Sequence, residues 1–210
     1  GATTLKPEES VNSTIGFVAN YDNLNVTVDF YNIEITDRIS LSNLFEVNDD
    51  NRQDLIDAGV QSASSLGGVS YFANAFDTKT QGVDIIATYN LDWNNGSSSN
   101  ITLGYNHNSQ EVTDIGTGGT SINDTRITGL EEGESKDKGN LSFTHKTDKF
   151  DYLLRANYYG EWVHVNTDEK FDGAVLLDAK ISYQLNDNIT LALGGRNILD
   201  KKAPIKLLLL

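Results

Sequence analysis

The 210 residues contain no cysteine, so a disulfide framework, a thiolate metal site and a thiol nucleophile are all excluded. Basic residues are scarce, 16 Lys and Arg against 30 Asp and Glu, for a formal charge of −14. That balance excludes nucleic acid as a partner, because phosphates demand a basic surface. It also excludes a polybasic membrane-surface module. The surplus acid reads as solvated loops. With two prolines and 18 glycines the chain is not of low complexity. No apolar run approaches the roughly 20 residues of a transmembrane helix. This bears on helices alone, since a spanning strand needs only about 9–11 residues of alternating polarity. The start, Gly1-Ala2-Thr3-Thr4-Leu5, carries no signal peptide.

Catalytic constellations are missing too. His107, His145 and His164 have no ligand-spaced partner, and no nucleophile elbow, phosphate loop or zinc-protease motif occurs. Gly116-Thr117-Gly118-Gly119-Thr120 reads as a loop tip, since it follows no buried strand and opens no helix. The carboxylates Asp49-Asp50 and Glu131-Glu132-Gly133-Glu134 fall in polar loops, where nothing separates their pKa values for acid–base work. Divalent-ion binding there is a hypothesis that calcium titration calorimetry without heat would remove. The expectation is no enzyme, no cofactor and no metal.

What is present is alternation with a period of two. Ile15, Phe17, Ala19 and Tyr21 oppose Thr14, Gly16 and Asn20; Leu24, Val26, Val28 and Phe30 oppose Asn25, Thr27 and Asp29. Val83, Ile85, Ala87, Tyr89 and Leu91 oppose Asp84, Thr88 and Asn90. Ile101, Leu103 and Tyr105, then Leu141 and Phe143, oppose Asn and Thr partners. Phe150, Tyr152, Leu154, Ala156 and Tyr158 oppose Asp151, Arg155 and Asn157. Leu177, Ala179, Ile181 and Tyr183 oppose Asp178, Lys180 and Ser182; Ile189, Leu191 and Leu193 oppose Thr190, Gly194 and Arg196. The pattern predicts about eight strands, longer than the usual five or six residues of a soluble sheet.

The connections alternate as well. Asp22-Asn23, Trp93–Ser99, Lys146–Asp148 and Asn186–Asn188 are short; Ser40–Gly68, Glu111–Lys138 and Val165–Gly173 are long and polar. Outer-membrane barrels have short periplasmic turns and long outer loops. Trp93 and Phe150 fall at short-turn ends and Tyr158 and Trp162 near a long-loop end, where two interfacial aromatic girdles are expected. Inside the first long loop, Asp49–Gly59 predicts a short helix with acids at its start and a glycine stop. The fold expected is all-β, an antiparallel up-and-down transmembrane barrel segment.

Four segments, in order, carry a resemblance. Leu5-Lys6-Pro7-Glu8-Glu9-Ser10 precedes the first strand, and Phe30–Ile39 reads FYNIEITDRI. Tyr71–Ala75 is followed by Thr78-Lys79-Thr80-Gln81-Gly82-Val83-Asp84, and Gly194–Lys201 reads GGRNILDK. Together with the weaker Tyr158-Tyr159-Gly160-Glu161, they resemble the C-terminal barrel of TonB-dependent receptors. This sequence departs from that pattern at Gly133-Glu134-Ser135, at Ile198-Leu199-Asp200, and in a Leu-rich ending where the family has an aromatic-ended strand.

The resemblance implies a barrel of about 22 strands, of which residues 1–204 hold about the fourteenth to the twenty-first, with 205–210 as a separate tail. It implies the outer membrane, a plug and an energy-coupling segment outside these residues. It also implies import of a scarce nutrient (ferric siderophore, haem, cobalamin or oligosaccharide) driven through TonB. Strand parity then turns Asp29, Asp84, Arg155, Asp178, Lys180 and Arg196 to the lumen. The expected partners are outer-membrane lipid, the rest of the barrel and plug, the TonB complex and a small ligand. An open sheet leaves two bare edges. The competing expectation is therefore a structural β-protein without transport, either a small eight-stranded barrel or fragments self-associated edge to edge.

Overall fold

The computed structural model describes residues 5–116 and 122–202. The Leu-rich tail 205–210 and most of the glycine-rich loop tip lie outside the described residues. One antiparallel sheet of eight strands dominates: β1 (Glu9–Tyr21), β2 (Leu24–Leu41), β5 (Phe72–Asp92), β6 (Ser98–Ile115), β7 (Asp137–Lys146), β8 (Phe150–Tyr159), β11 (Ala174–Asn186) and β12 (Ile189–Gly195). Strand order follows chain order throughout. The remaining elements all sit in the long loops: β3 (Phe45–Glu46), α1 (Asp49–Asp57) and β4 (Gly68–Val69) in the first, α2 (Asp124–Glu131) in the second, and the hairpin β9 (Trp162–His164) and β10 (Glu169–Phe171) in the third.

Cross-strand register sorts the side chains into rows. One row runs Ala19, Val26, Ala87, Leu103, Leu141, Ala156, Leu177 across seven strands. One residue away on the opposite face lies Asn20, Asn25, Thr88, Thr102, Ser142, Arg155, Asp178. A one-residue slip would exchange the two faces, so the alternation fixes the register. The apolar face is exposed: Phe17, Leu103, Leu141 and Leu154 all lie open. In water a face of this size would be unstable; against acyl chains it is the ordinary outside of a barrel.

That face is a band of limited height. From Val83 on β5 to Trp93, just past its end, it extends about 34 Å along the chain and about 25 Å after a barrel tilt near 40°. Beyond Val83 the same face carries Gln81 and Lys79, with Lys79 Nζ 3.7 Å from Glu34 of β2. The strands nevertheless continue: β5 has 21 residues, about twice the span a membrane strand requires. The ends of β2 and β5, Leu41 and Phe72, lie within a few residues of the expected loop limits Ser40 and Gly68, whereas β6 runs to Ile115, past the expected limit Glu111. On β6 the outer face ends at His107, whose Nδ1 lies 2.8 Å from Asp137 of β7, which also accepts from the Tyr105 hydroxyl.

Two polar-face glycines yield their space to a neighbour. The Asp29 carboxylate stands where a Cβ at Gly16 would be, and the Tyr31 ring does so at Gly82. The sheet remains open, with β1 and β12 each paired on one side only among the described residues.

The first long loop was expected to hold one helix, and α1 forms inside the predicted range. Asn48 and Asn51 cap it reciprocally, and it ends before Gly59, which has φ +83°. The second and third long loops, read from the sequence only as long and polar, contain α2 and the β9–β10 hairpin. Both elements are short and are held by tertiary packing, which periodicity alone does not reveal.

Candidate functional site

The polar face contains two neighbouring constellations. In the first, Asp29 and Asp84 are register partners on β2 and β5, and Asp84 is in turn paired with Asn106. Asn106 Nδ2 donates to Asp84 Oδ1 at 2.6 Å, while the Tyr31 hydroxyl donates to Asn108 Oδ1 at 3.2 Å. Asp29, Asp84 and Asn106, with Lys138, Asn140 and Asn157, line a concavity of about 520 Å³. Two carboxylates directly across a ladder repel each other, so this row favours a cation or a donor-rich partner.

The second constellation is cationic. Arg155 faces Asp178 in register, and Lys180 follows one step along the same face of β11. Asp178 is already committed: Asn157 Nδ2 donates to one oxygen at 2.9 Å and the Asn197 backbone N–H to the other at 2.9 Å. Among the described residues Arg155, Lys180 and Arg196 make no ion pair. Arg196, just beyond β12, joins the other three around a concavity of about 380 Å³.

The four aromatics have separate surroundings. Trp93 follows β5 at a short turn and donates from Nε1 to Ser99 Oγ at 2.9 Å; Ser99 lies 2.8 Å from His145 Nδ1. Phe150 opens β8 and packs on Tyr152 and Tyr183. Tyr158 lies on the apolar face between Gly139 and Val175. Trp162 belongs to the loop hairpin, stacked on Phe171 at 4.5 Å, and is not part of the main sheet.

Three of the four segments that carry the resemblance meet in space, which strand parity did not foresee. Asn74 accepts from the Lys6 N–H at 2.8 Å and donates to the carbonyls of Lys6 and Asp37. Asp37, at φ +54°, is the bulge residue of β2, and its N–H donates to Asp77. Glu8 accepts from the Ile39 N–H at 2.6 Å. The first three motifs thus form one hydrogen-bonded junction above the apolar band. The fourth folds on itself, Asn197 bonding Lys201 through its amide oxygen and nitrogen.

The acidic loop clusters have structural work of their own. Asp49 and Asp50 occupy the first turn of α1, Glu131 accepts from the Val112 N–H, and Glu134 pairs with Lys138 at 3.3 Å. Among the described residues no group of three or more His, Asp or Glu is placed to hold a metal ion.

Residues 1–198 match the family described as TonB dependent receptor-like, beta-barrel. The chain belongs to that family. Several solved TonB-dependent receptors and outer-membrane transporters share its fold. The ferric-catecholate import receptor Fiu of E. coli aligns with TM-score 0.63 and 17% identity over 95% of this chain and 24% of its own. The FrpB iron transporter of Neisseria meningitidis aligns with TM-score 0.65 and 15% identity over 95% of this chain and 28% of its own. The transporter YddB of E. coli gives 0.66 and 12% over 95% and 30%. The chain therefore spans about a quarter to a third of these receptors. No curated protein sequence matches it. It is an antiparallel segment of a TonB-dependent receptor barrel of the Gram-negative outer membrane, and the open sheet is the form such a segment takes.

Proposed function

We propose that this segment forms part of the wall of a receptor that imports a scarce nutrient across the outer membrane, with a ferric complex as the first candidate ligand. The observation that carries the reading is the division of one continuous eight-stranded meander into a membrane-height apolar band and a polar face. On this reading the polar face is the lumen. The carboxylates Asp29 and Asp84 and the cations Arg155, Lys180 and Arg196 meet the plug and the ligand path, while Asp178 anchors the wall. Trp93, Phe150 and Tyr158 mark the interfaces with lipid, and Trp162 belongs to the outer loops. Several similar structures bear on the ligand class: one is a ferric-catecholate receptor, another an iron transporter, a third a copper transporter.

The bare edges of β1 and β12 favour this reading over a small self-sufficient barrel, because unpaired ladders require a partner strand. The rest of the receptor supplies both. Coupling to TonB belongs to segments beyond this wall.

The test is accumulation of labelled ferric complexes, haem and cobalamin by cells expressing the full receptor, with and without TonB. Accumulation of one ligand that requires TonB and the proton gradient is the expected result. Failure of every ligand to accumulate, or accumulation independent of TonB, would overturn the reading.

A further inference from the structure

The apolar face carries a groove toward its short-turn end. Ala179 and Gly195 are register partners on β11 and β12, and Leu154 of β8 is the other partner of Ala179. These two small residues form a floor. Ile198 stands over it, with Cγ2 3.0 Å from where a Cβ on Gly195 would be. One row nearer the short turns, His145, Tyr152, Ile181 and Leu193 follow one another in register. With Trp93 they line a groove of about 790 Å³, within the range of about 300–1,000 Å³ of small-molecule sites.

One polar chain borders this trough. Trp93 Nε1–H donates to Ser99 Oγ at 2.9 Å, and Ser99 Oγ lies 2.8 Å from His145 Nδ1. Ser99 is buried, so its own proton needs an acceptor within the protein. The indole offers only a donor, and among the described residues His145 Nδ1 is the acceptor in reach. Nδ1 therefore carries the lone pair and Nε2 the proton. The imidazole is stacked between Phe143 and Tyr152, with centroids 6.4 and 6.1 Å away. Among the described residues nothing accepts from Nε2. An N–H beside acyl chains is costly unless it meets an acceptor.

We propose that this groove seats one acyl chain of a phospholipid of the periplasmic leaflet, whose ester carbonyl accepts from His145 Nε2–H. The two parts of such a lipid match the two parts of the site. The chain fits an apolar trough continuous with the band, and the ester meets a single donor where the band ends. His145 is the last residue but one of β7, and through Ser99 it is tied to Trp93 at the short turn. An interfacial tryptophan marks the depth at which chains join their headgroups. This rests on the apolar face meeting lipid, whatever the receptor imports, and the experiment separates the two.

The full receptor is placed in vesicles of diether phosphatidylcholine containing a small fraction of diester phosphatidylethanolamine with a diazirine on one acyl chain. After illumination, cross-linked residues are mapped by mass spectrometry. The groove should be labelled about fivefold more than the band around Leu103, the effect of one net hydrogen bond. A diether form of the same probe should label both regions alike. His145→Phe keeps the ring stack and should remove the excess, while Ala179→Leu fills the trough and should lower groove labelling by either probe. Uniform labelling by the diester probe would overturn the site and leave the apolar face in lipid. A groove left unlabelled within a labelled band would mean that a protein segment covers it, and would also overturn the site. An excess that survives His145→Phe would overturn the role of the imidazole. No labelling anywhere on the band would sink the lipid-facing reading itself.

Discussion

The guanidinium of Arg52, on α1, donates to the carbonyl of Ala63, a residue with no exposed surface, at 2.5 Å. The same group reaches the carbonyls of Leu66 and Val47, each at 3.2 Å. One side chain thus binds both ends of the first long loop to its helix. Arg52→Ala should cost that loop about 2–4 kcal/mol, because it orphans carbonyls that no longer meet water. Hydrogen exchange between residues 47 and 66 should accelerate while the strands remain protected. Arg52→Lys should not rescue it, since one ammonium nitrogen cannot stand in the places of the two terminal nitrogens that reach these carbonyls. Unchanged exchange in the alanine variant would refute the argument.

Gly82→Ala tests the packing of Tyr31. A methyl at Gly82 would meet the Tyr31 ring and the His107 carbonyl, and the backbone oxygen cannot rotate aside. The expected loss is about 1–3 kcal/mol in the urea unfolding of the full receptor. Gly67→Ala, where nothing lies within 4 Å, is the control and should be close to neutral. Equal effects at the two sites would mean that the ring does not occupy that space.

Asn74→Ala breaks the junction of three motifs, removing an acceptor for Lys6 N–H and donors to Lys6 and Asp37. Asn74→Asp should be no better, because an ionised carboxylate cannot donate. Each should lower stability by about 1–3 kcal/mol. Intact stability of the aspartate variant would show that the two donated bonds contribute nothing.

Thr102 and Leu103 are neighbours on β6 that belong to opposite faces. Leu103→Arg should destabilise the membrane-inserted receptor by about 2–4 kcal/mol, as a charge facing lipid near mid-membrane does. Thr102→Arg, on the polar face, should change little. Matched unfolding of the two variants in lipid bilayers decides which face meets acyl chains.

The strands of the apolar band were legible because each turns apolar side chains to one face and polar ones to the other. Above Val83 both faces of β5 are polar, Lys79 and Gln81 on one and Thr78 and Thr80 on the other, so the pattern vanishes while the hydrogen-bonded ladder continues. There the family resemblance, through Tyr71–Ala75, reached further than periodicity. The helix α2 left only a faint trace: an Asn123 cap and the pair Ile127 and Leu130, in eight residues interrupted by Gly129. The pairing of Asp29 with Asp84 was equally hidden, because parity assigns a side chain to a face but not to a neighbour.

Gly16 and Gly82 both lie on the polar face, and each lets a longer side chain lean across it. When a sheet rolls up, its inner circumference is shorter than its outer one, and crowding falls on the inside. Residues without a side chain relieve that crowding where Asp29 and Tyr31 need the room. On the proposed lumen reading, room on the crowded inner circumference is thus found within pairs of adjacent strands, without help from a distant one.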